Sequence, residues 1–254
     1  MRITAPIFRF CILVGIPFPS LVSASEPVPQ VKPLSLQDHT SFLEGVDLPR
    51  AKPHVSAVNY SNEKATSALS PTCEIPRAIF SQVLPFDGER DGDAACGIAD
   101  PIELTGFQQE GSKARFTAPV TLSCSFAKVL TDWLIDDVLP AAGDLFDSPV
   151  SVLSSGPGYQ CRRRNNQPDG KLSEHALGEA IDISGFRLDD GSQISIEKDW
   201  GTDTVKGRFL SAIHASACKR FSTVLGPDAD PNHKSHYHLD TGCHGKTCTY
   251  LICQ

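Results

Sequence analysis

The chain has 254 residues and carries 23 Lys and Arg against 30 Asp and Glu, a formal net charge of −7. Its only dense basic run is Arg162-Arg163-Arg164. That balance excludes nucleic acid as the main partner, because a polyphosphate backbone needs a broad cationic surface.

Residues 1–25 read as a secretory signal peptide. Arg2 and Arg9 give a positive start, Phe10 to Val22 is largely apolar, and Ser23-Ala24-Ser25 offers small residues for cleavage. The apolar stretch contains Pro17 and Pro19 and is shorter than the ~20 residues that span a bilayer. Cys11 has no lipobox before it, so neither a retained anchor nor lipidation is expected. Removing this segment leaves 21 basic residues against 30 acidic ones, a net charge of −9. No later segment is long and apolar enough to cross a membrane. The mature chain is therefore expected to be exported, to the periplasm or cell envelope, with no transmembrane segment.

Residues 26–70 hold Pro27, Pro29, Pro33, Pro49 and Pro53 among Ser, Asn and charges, and sustain neither helix nor strand period. They read as a Pro-rich flexible linker. Residues 71–254 read as one compact domain of ordinary single-core size.

Within that domain Leu122, Phe126, Val129, Leu130, Trp133, Leu134 and Val138 recur at three- and four-residue steps. This spacing predicts a helix over 122–139, ended by Pro140. Val150-Ser151-Val152-Leu153 and Ala180-Ile181-Asp182-Ile183 read as strands. Phe186 to Leu188 and Ile194 to Ile196 read as a hairpin closed at Asp189-Asp190-Gly191. A second helix is predicted over 208–221, with Phe209, Leu210, Ile213, Ala217 and Phe221 on its apolar side and Cys218 on the same stripe. His236 to Asp240 alternates as a final strand. Helices and an antiparallel sheet in separate runs indicate an α+β fold.

Eight cysteines remain after the signal: Cys73, Cys96, Cys124, Cys161, Cys218, Cys243, Cys248 and Cys253. An even number in an exported chain points to disulfides, whose pairing spacing alone does not choose. The five-residue steps among the last three are wider than the close cysteine pairs of zinc ribbons.

Two histidine segments carry the chemistry. Ser173-Glu174-His175-Ala176-Leu177-Gly178-Glu179-Ala180-Ile181-Asp182 is followed by His236-Tyr237-His238-Leu239-Asp240. On a strand, residues i and i+2 point the same way, so His236 and His238 face one side while Tyr237 and Leu239 face the other. By the same rule Asp182 faces opposite Ile181 and Ile183. Two imidazoles and a carboxylate with one open position form the usual hydrolytic ligand set of Zn2+. Such an ion lowers the pKa of water toward ~7 and polarises a carbonyl. His39, His54 and His214 read as surface residues, and His233 and His244 either as residues lining the cleft or as plain loop positions, the loop reading being preferred.

These residues resemble a family. The 173–183 segment looks like the zinc motif of the D-Ala-D-Ala carboxypeptidase, lysostaphin and hedgehog superfamily. The stretch from Tyr159-Gln160-Cys161-Arg162 through Phe221-Ser222-Thr223-Val224-Leu225-Gly226-Pro227 to His236-Tyr237-His238-Leu239-Asp240 resembles the bacterial extensin-like C-terminal domain. The resemblance implies a disulfide-stabilised, hedgehog/D-Ala-D-Ala peptidase-like fold. It also implies one zinc ion held by His175, Asp182 and His238, with His236 as the catalytic imidazole. Arg162 takes the place of the arginine that grips substrate or offsets developing charge, with Arg163 as runner-up, and Ser173 and Tyr159 are implied substrate contacts. The implied partners are the stem or cross-link peptides of peptidoglycan. The carboxypeptidase branch usually has Glu, then Trp-His, at the second site. His-Tyr-His here moves the expectation toward the endopeptidase branches. The competing expectation is a non-catalytic, zinc-containing wall-binding module.

Overall fold

The computed structural model describes residues 72–88 and 92–254. The expected signal peptide and linker, with His39 and His54, lie outside the described residues.

Five strands precede the first helix: β1 (Ala78–Gln82), β2 (Phe86–Asp87), β3 (Gly97–Ile98), β4 (Pro101–Gln109) and β5 (Ser112–Ser123). β4 and β5 form a hairpin in which Gln109 pairs with Ser112. Its two turn residues, Glu110 and Gly111, both lie at positive φ (48° and 87°), the backbone a two-residue hairpin needs to match strand twist. Leu122 therefore lies in the last residues of a strand that ends at Ser123, and the first helix, α1 (Cys124–Trp133), begins directly after that strand. Ser123 caps it, its hydroxyl accepting the Phe126 N–H at 3.2 Å.

Pro140 does not end this helix. A wide π turn (Leu134–Val138) follows α1 and leads into α2 (Leu139–Phe146). In that turn the Leu139 N–H reaches back five residues to the Leu134 carbonyl, which places Pro140 in the first turn of a new helical segment. There its missing N–H leaves no bond unmade.

β6 (Val150–Ser155) comes next. The two short strands expected around 180–188 are one nine-residue strand, β7 (Ala180–Leu188), which folds back on β8 (Gln193–Ser195) through Gly191 at φ 89°. Ile196 begins the short α3 (Ile196–Asp199) instead of extending β8. The second long helix, α4 (Val205–Ala217), is capped by Thr204 and so starts before Arg208. It ends before Phe221, which is buried in the segment that follows. β9 (Thr223–Leu225) and β10 (Tyr237–Asp240) follow. β10 is not the last strand, because β11 (Ile252–Cys253) adds in parallel to β9.

The main sheet runs β1-β4-β5-β6-β7-β10-β9-β11, with β8 also on β7. Pairings are antiparallel except β5 with β6 and β9 with β11. The fold is thus α+β with a mostly antiparallel sheet, but α1 and α2 lie between β5 and β6 in the chain, so the two element types are interleaved. Phe126, Trp133, Leu153, Ile181, Phe209 and Tyr237 are buried in one core. Trp133 meets Phe221 edge-on at 5.8 Å, and Phe209 meets Phe186 at 5.5 Å. Such pairs add ~0.5–1.5 kcal/mol each beyond burial.

Among the described residues all eight cysteines are paired: Cys73–Cys124, Cys96–Cys161, Cys218–Cys253 and Cys243–Cys248. Cys218–Cys253 fastens the end of α4 to the edge strand β11. Cys96–Cys161 anchors the segment that carries Tyr159 and Arg162. Among the described residues no helix is long and apolar enough to cross a membrane.

Candidate metal centre

β7 and β10 run side by side, with His238 opposite Asp182 and Leu239 opposite Ile181. Ile181, Ile183 and Leu239 are buried in the core. Asp182 and His238 consequently leave the sheet on its other side, where a cavity of about 620 Å³ opens.

His175 arrives from a short helical turn, Glu174–Leu177, that precedes β7. Gly178 ends this turn at φ 68°, and a Cβ there would meet Ile98 at 2.3 Å, so only glycine returns the chain to the sheet at this point. The His175 ring is fully buried. Its Nδ1 lies 2.7 Å from the Gly158 carbonyl, an acceptor only, so Nδ1 carries the proton and Nε2 the lone pair. At the second ring, His238 Nε2 lies 3.0 Å from Asp240 Oδ2. That carboxylate fixes the proton on Nε2 and leaves Nδ1 as the lone pair.

The two lone pairs and the Asp182 carboxylate converge. His175 Nε2 is 3.3 Å from His238 Nδ1 and 3.3 Å from Asp182 Oδ1, and His238 Nδ1 is 3.0 Å from Asp182 Oδ1. Three ligands held ~2.0–2.1 Å from one tetrahedral ion lie ~3.3–3.4 Å apart. The triangle therefore has the dimensions of a zinc face, and three acceptors pointing at one another need a cation or a proton between them. Among the described residues His214, Cys218 and Cys253 also lie within ligand distance of one another, but the two cysteines form a disulfide and offer no thiolate.

Electrostatics follow from this crowding. Burial disfavours the Asp182 carboxylate, but its interactions with the adjoining His175 and His238 rings outweigh it and hold the group far below the usual carboxylate range. Burial likewise opposes charge on His238, yet hydrogen bonds to Asp182 and Asp240 push it up to about 9 in the absence of metal. His236 is lowered, because burial outweighs the attraction of Asp182.

His236 precedes β10 and lines the cavity, with Nε2 3.7 Å from Asp182 Oδ1. Arg162 and Ser173 line it too. The Arg162 Nε donates to Gln160 Oε1 at 3.1 Å. Tyr159 sits in a neighbouring hollow shared with Arg162 and Asn166. Arg163 is committed elsewhere: it pairs with Asp93 and donates to the Gly170 carbonyl. The adjacent Arg164 lines the cavity instead and pairs with Glu174 at 3.0 Å.

Of the two readings open for His233 and His244, the structure takes the cleft: both line the cavity. His233 is 9% exposed, donates to Asp230 at 2.9 Å, and meets His236 at a tilt with centroids 5.3 Å apart. His244 reaches Thr223 Oγ1 at 2.6 Å. His214 is half-buried rather than a free surface residue, packed between Trp200 and Tyr237. Asp240 was legible as the residue two beyond His238 on a strand. Gly158, whose part is played by a carbonyl, left no signal in the sequence.

The family model described as extensin-like protein C-terminus matches residues 77–254. The chain belongs to the extensin-like family. No curated protein and no solved structure matches it. The matched part of this extensin-like chain contains His175, Asp182 and His238, the cavity and three complete disulfides, with Cys124 of the fourth.

Proposed function

We propose that this extensin-like chain is an exported zinc-dependent peptidase that hydrolyses peptide bonds in peptidoglycan, on a hedgehog/D-Ala-D-Ala peptidase-like fold. The observation that carries the reading is the convergence of His175 Nε2, Asp182 Oδ1 and His238 Nδ1 at tetrahedral spacing beside an open cavity. Two imidazoles and one carboxylate are a hydrolytic ligand set, whereas structural zinc is normally closed by four protein ligands. A zinc ion held there supplies a water acidified toward neutral pH and a Lewis acid for a carbonyl.

The chain's own residues supply the rest. His236 is half-buried beside the triangle and its lowered pKa keeps it a neutral acceptor at neutral pH, as a general base requires. Every carboxylate lining the cavity is already engaged: Asp182 and Asp240 by His238, Asp230 by His233, and Glu174 by Arg164. Arg162 has only an amide partner among the described residues. Its fork is therefore disposed to hold a substrate carboxylate or the oxyanion, and the carboxylates of wall peptides fit that demand. The four disulfides support export, since they persist in oxidising compartments.

The test is digestion of purified peptidoglycan with zinc, with chelator, and with His236→Ala, reading products by mass spectrometry. Chelator-sensitive fragments that vanish in the mutant are expected, and their masses name the bond. Intact wall material beside one bound zinc per chain would instead identify a non-catalytic wall-binding module.

A further inference from the structure

Behind His238 lies a second set of polar side chains that the proposed reaction does not use. Asp240 stands two residues along β10 and is 3% exposed. Its Oδ2 faces His238 Nε2 at 3.0 Å and its Oδ1 accepts the Gly242 N–H at 2.9 Å. Thr223 is directly opposite Asp240 in the β9–β10 ladder and is also buried. Its hydroxyl meets His244 Nε2 at 2.6 Å, and that same nitrogen is 3.9 Å from Asp240 Oδ1. His244 lies inside the short loop closed by Cys243–Cys248, so a covalent ring holds it against β9.

We propose that Asp240, Thr223 and His244 form an outer brace of the metal centre, in which Asp240 positions His238 and the Thr223–His244 pair positions Asp240. The inference rests on the zinc reading given above. Its physical basis is one of direction. An ionised carboxylate only accepts, so Asp240 forces the proton onto His238 Nε2 and turns the Nδ1 lone pair to the metal. A carboxylate held by one backbone N–H alone can rotate. The buried Thr223 hydroxyl and the His244 ring stand beside its Oδ1 and limit that rotation. His175 needs no such brace, because its orienting acceptor is the Gly158 carbonyl, fixed in the backbone.

The experiment uses the full mature chain and measures zinc affinity by competition with a chromophoric chelator, for wild type, Asp240→Asn, Thr223→Val, Thr223→Ser and His244→Phe. The His238 Nε2–H proton is followed by NMR in the zinc-loaded proteins. Asp240→Asn is expected to weaken zinc binding ~10–100-fold, with faster exchange of that proton. Thr223→Val and His244→Phe should weaken binding several-fold, and Thr223→Ser, which keeps the hydroxyl, should restore it. Thr223→Val is nearly isosteric and decides the matter if Asp240→Asn does not fold. Affinities and proton exchange equal to wild type in the folded variants would overturn the brace while leaving the metal site intact. A wild-type chain that takes up no zinc would overturn the metal reading, and the brace with it.

Discussion

His175 and His238 present different ring nitrogens to the same point, and in each case the opposite nitrogen is fixed by an acceptor on the protein. Residue-scale predictions follow from that division of labour. His175→Ala removes one corner of the triangle and should abolish stoichiometric zinc uptake, read by metal analysis of the folded protein. His236→Ala should leave zinc content unchanged while cleavage falls ~10²–10⁴-fold, the usual contribution of a general base. His238 also makes the metal-free protein pH-sensitive. Its folded pKa is raised to about 9, above its unfolded value of ~6.5. The stabilisation from its imidazolium is therefore complete below pH ~6.5 and is lost as pH rises through about 9. Thermal melts of chelator-treated protein across that window should show the decline. Zinc uptake at neutral pH should correspondingly release a proton, measurable by calorimetry in buffers of different ionisation enthalpy.

Elements decide whether these side chains meet. The alternation of β7 and β10 sends Ile181, Ile183 and Leu239 inward and Asp182 and His238 outward, and that period was readable from the sequence. The segment between β6 and the His175 turn was not. It carries Gly158, where an added Cβ would lie 2.3 Å from the Thr121 carbonyl and 2.5 Å from Leu122 Cδ2. Gly158→Ala should therefore push this segment off β5, cost ~1–3 kcal/mol, and weaken zinc binding by moving the carbonyl that orients His175. Denaturant melts and chelator competition would separate the two effects. The β4–β5 hairpin escaped notice because its turn is Glu110-Gly111 rather than the Asn-Gly or Asp-Gly that usually marks paired positive φ. Pro140 misled for a related reason: a five-residue wide turn absorbs it, and nothing local in the sequence announces such a turn.

At the scale of the molecule, disulfides join the far end of the chain to the core. Cys218–Cys253 holds β11 against β9, the strand that carries Thr223. The double variant Cys218→Ser/Cys253→Ser should lose ~2–4 kcal/mol and lower Tm by ~5–15 °C, as calorimetry of wild type and variant would reveal. The sequence by itself determined the α+β class, the family and the presence of a disulfide framework. It also raised the expectation that His175, Asp182 and His238 act together, three residues whose ligand atoms the fold brings within reach of one another. The class and the disulfide framework rest on periodicity and composition, which act within a few residues, whereas the family rests on the resemblance of its motifs. Only the tertiary structure decided which cysteines pair, that Arg164 and not Arg163 borders the cavity, and that His233 and His244 line it. Each of those depends on contacts between segments remote in the chain, whose meeting is set by strand order and core packing rather than by any local pattern.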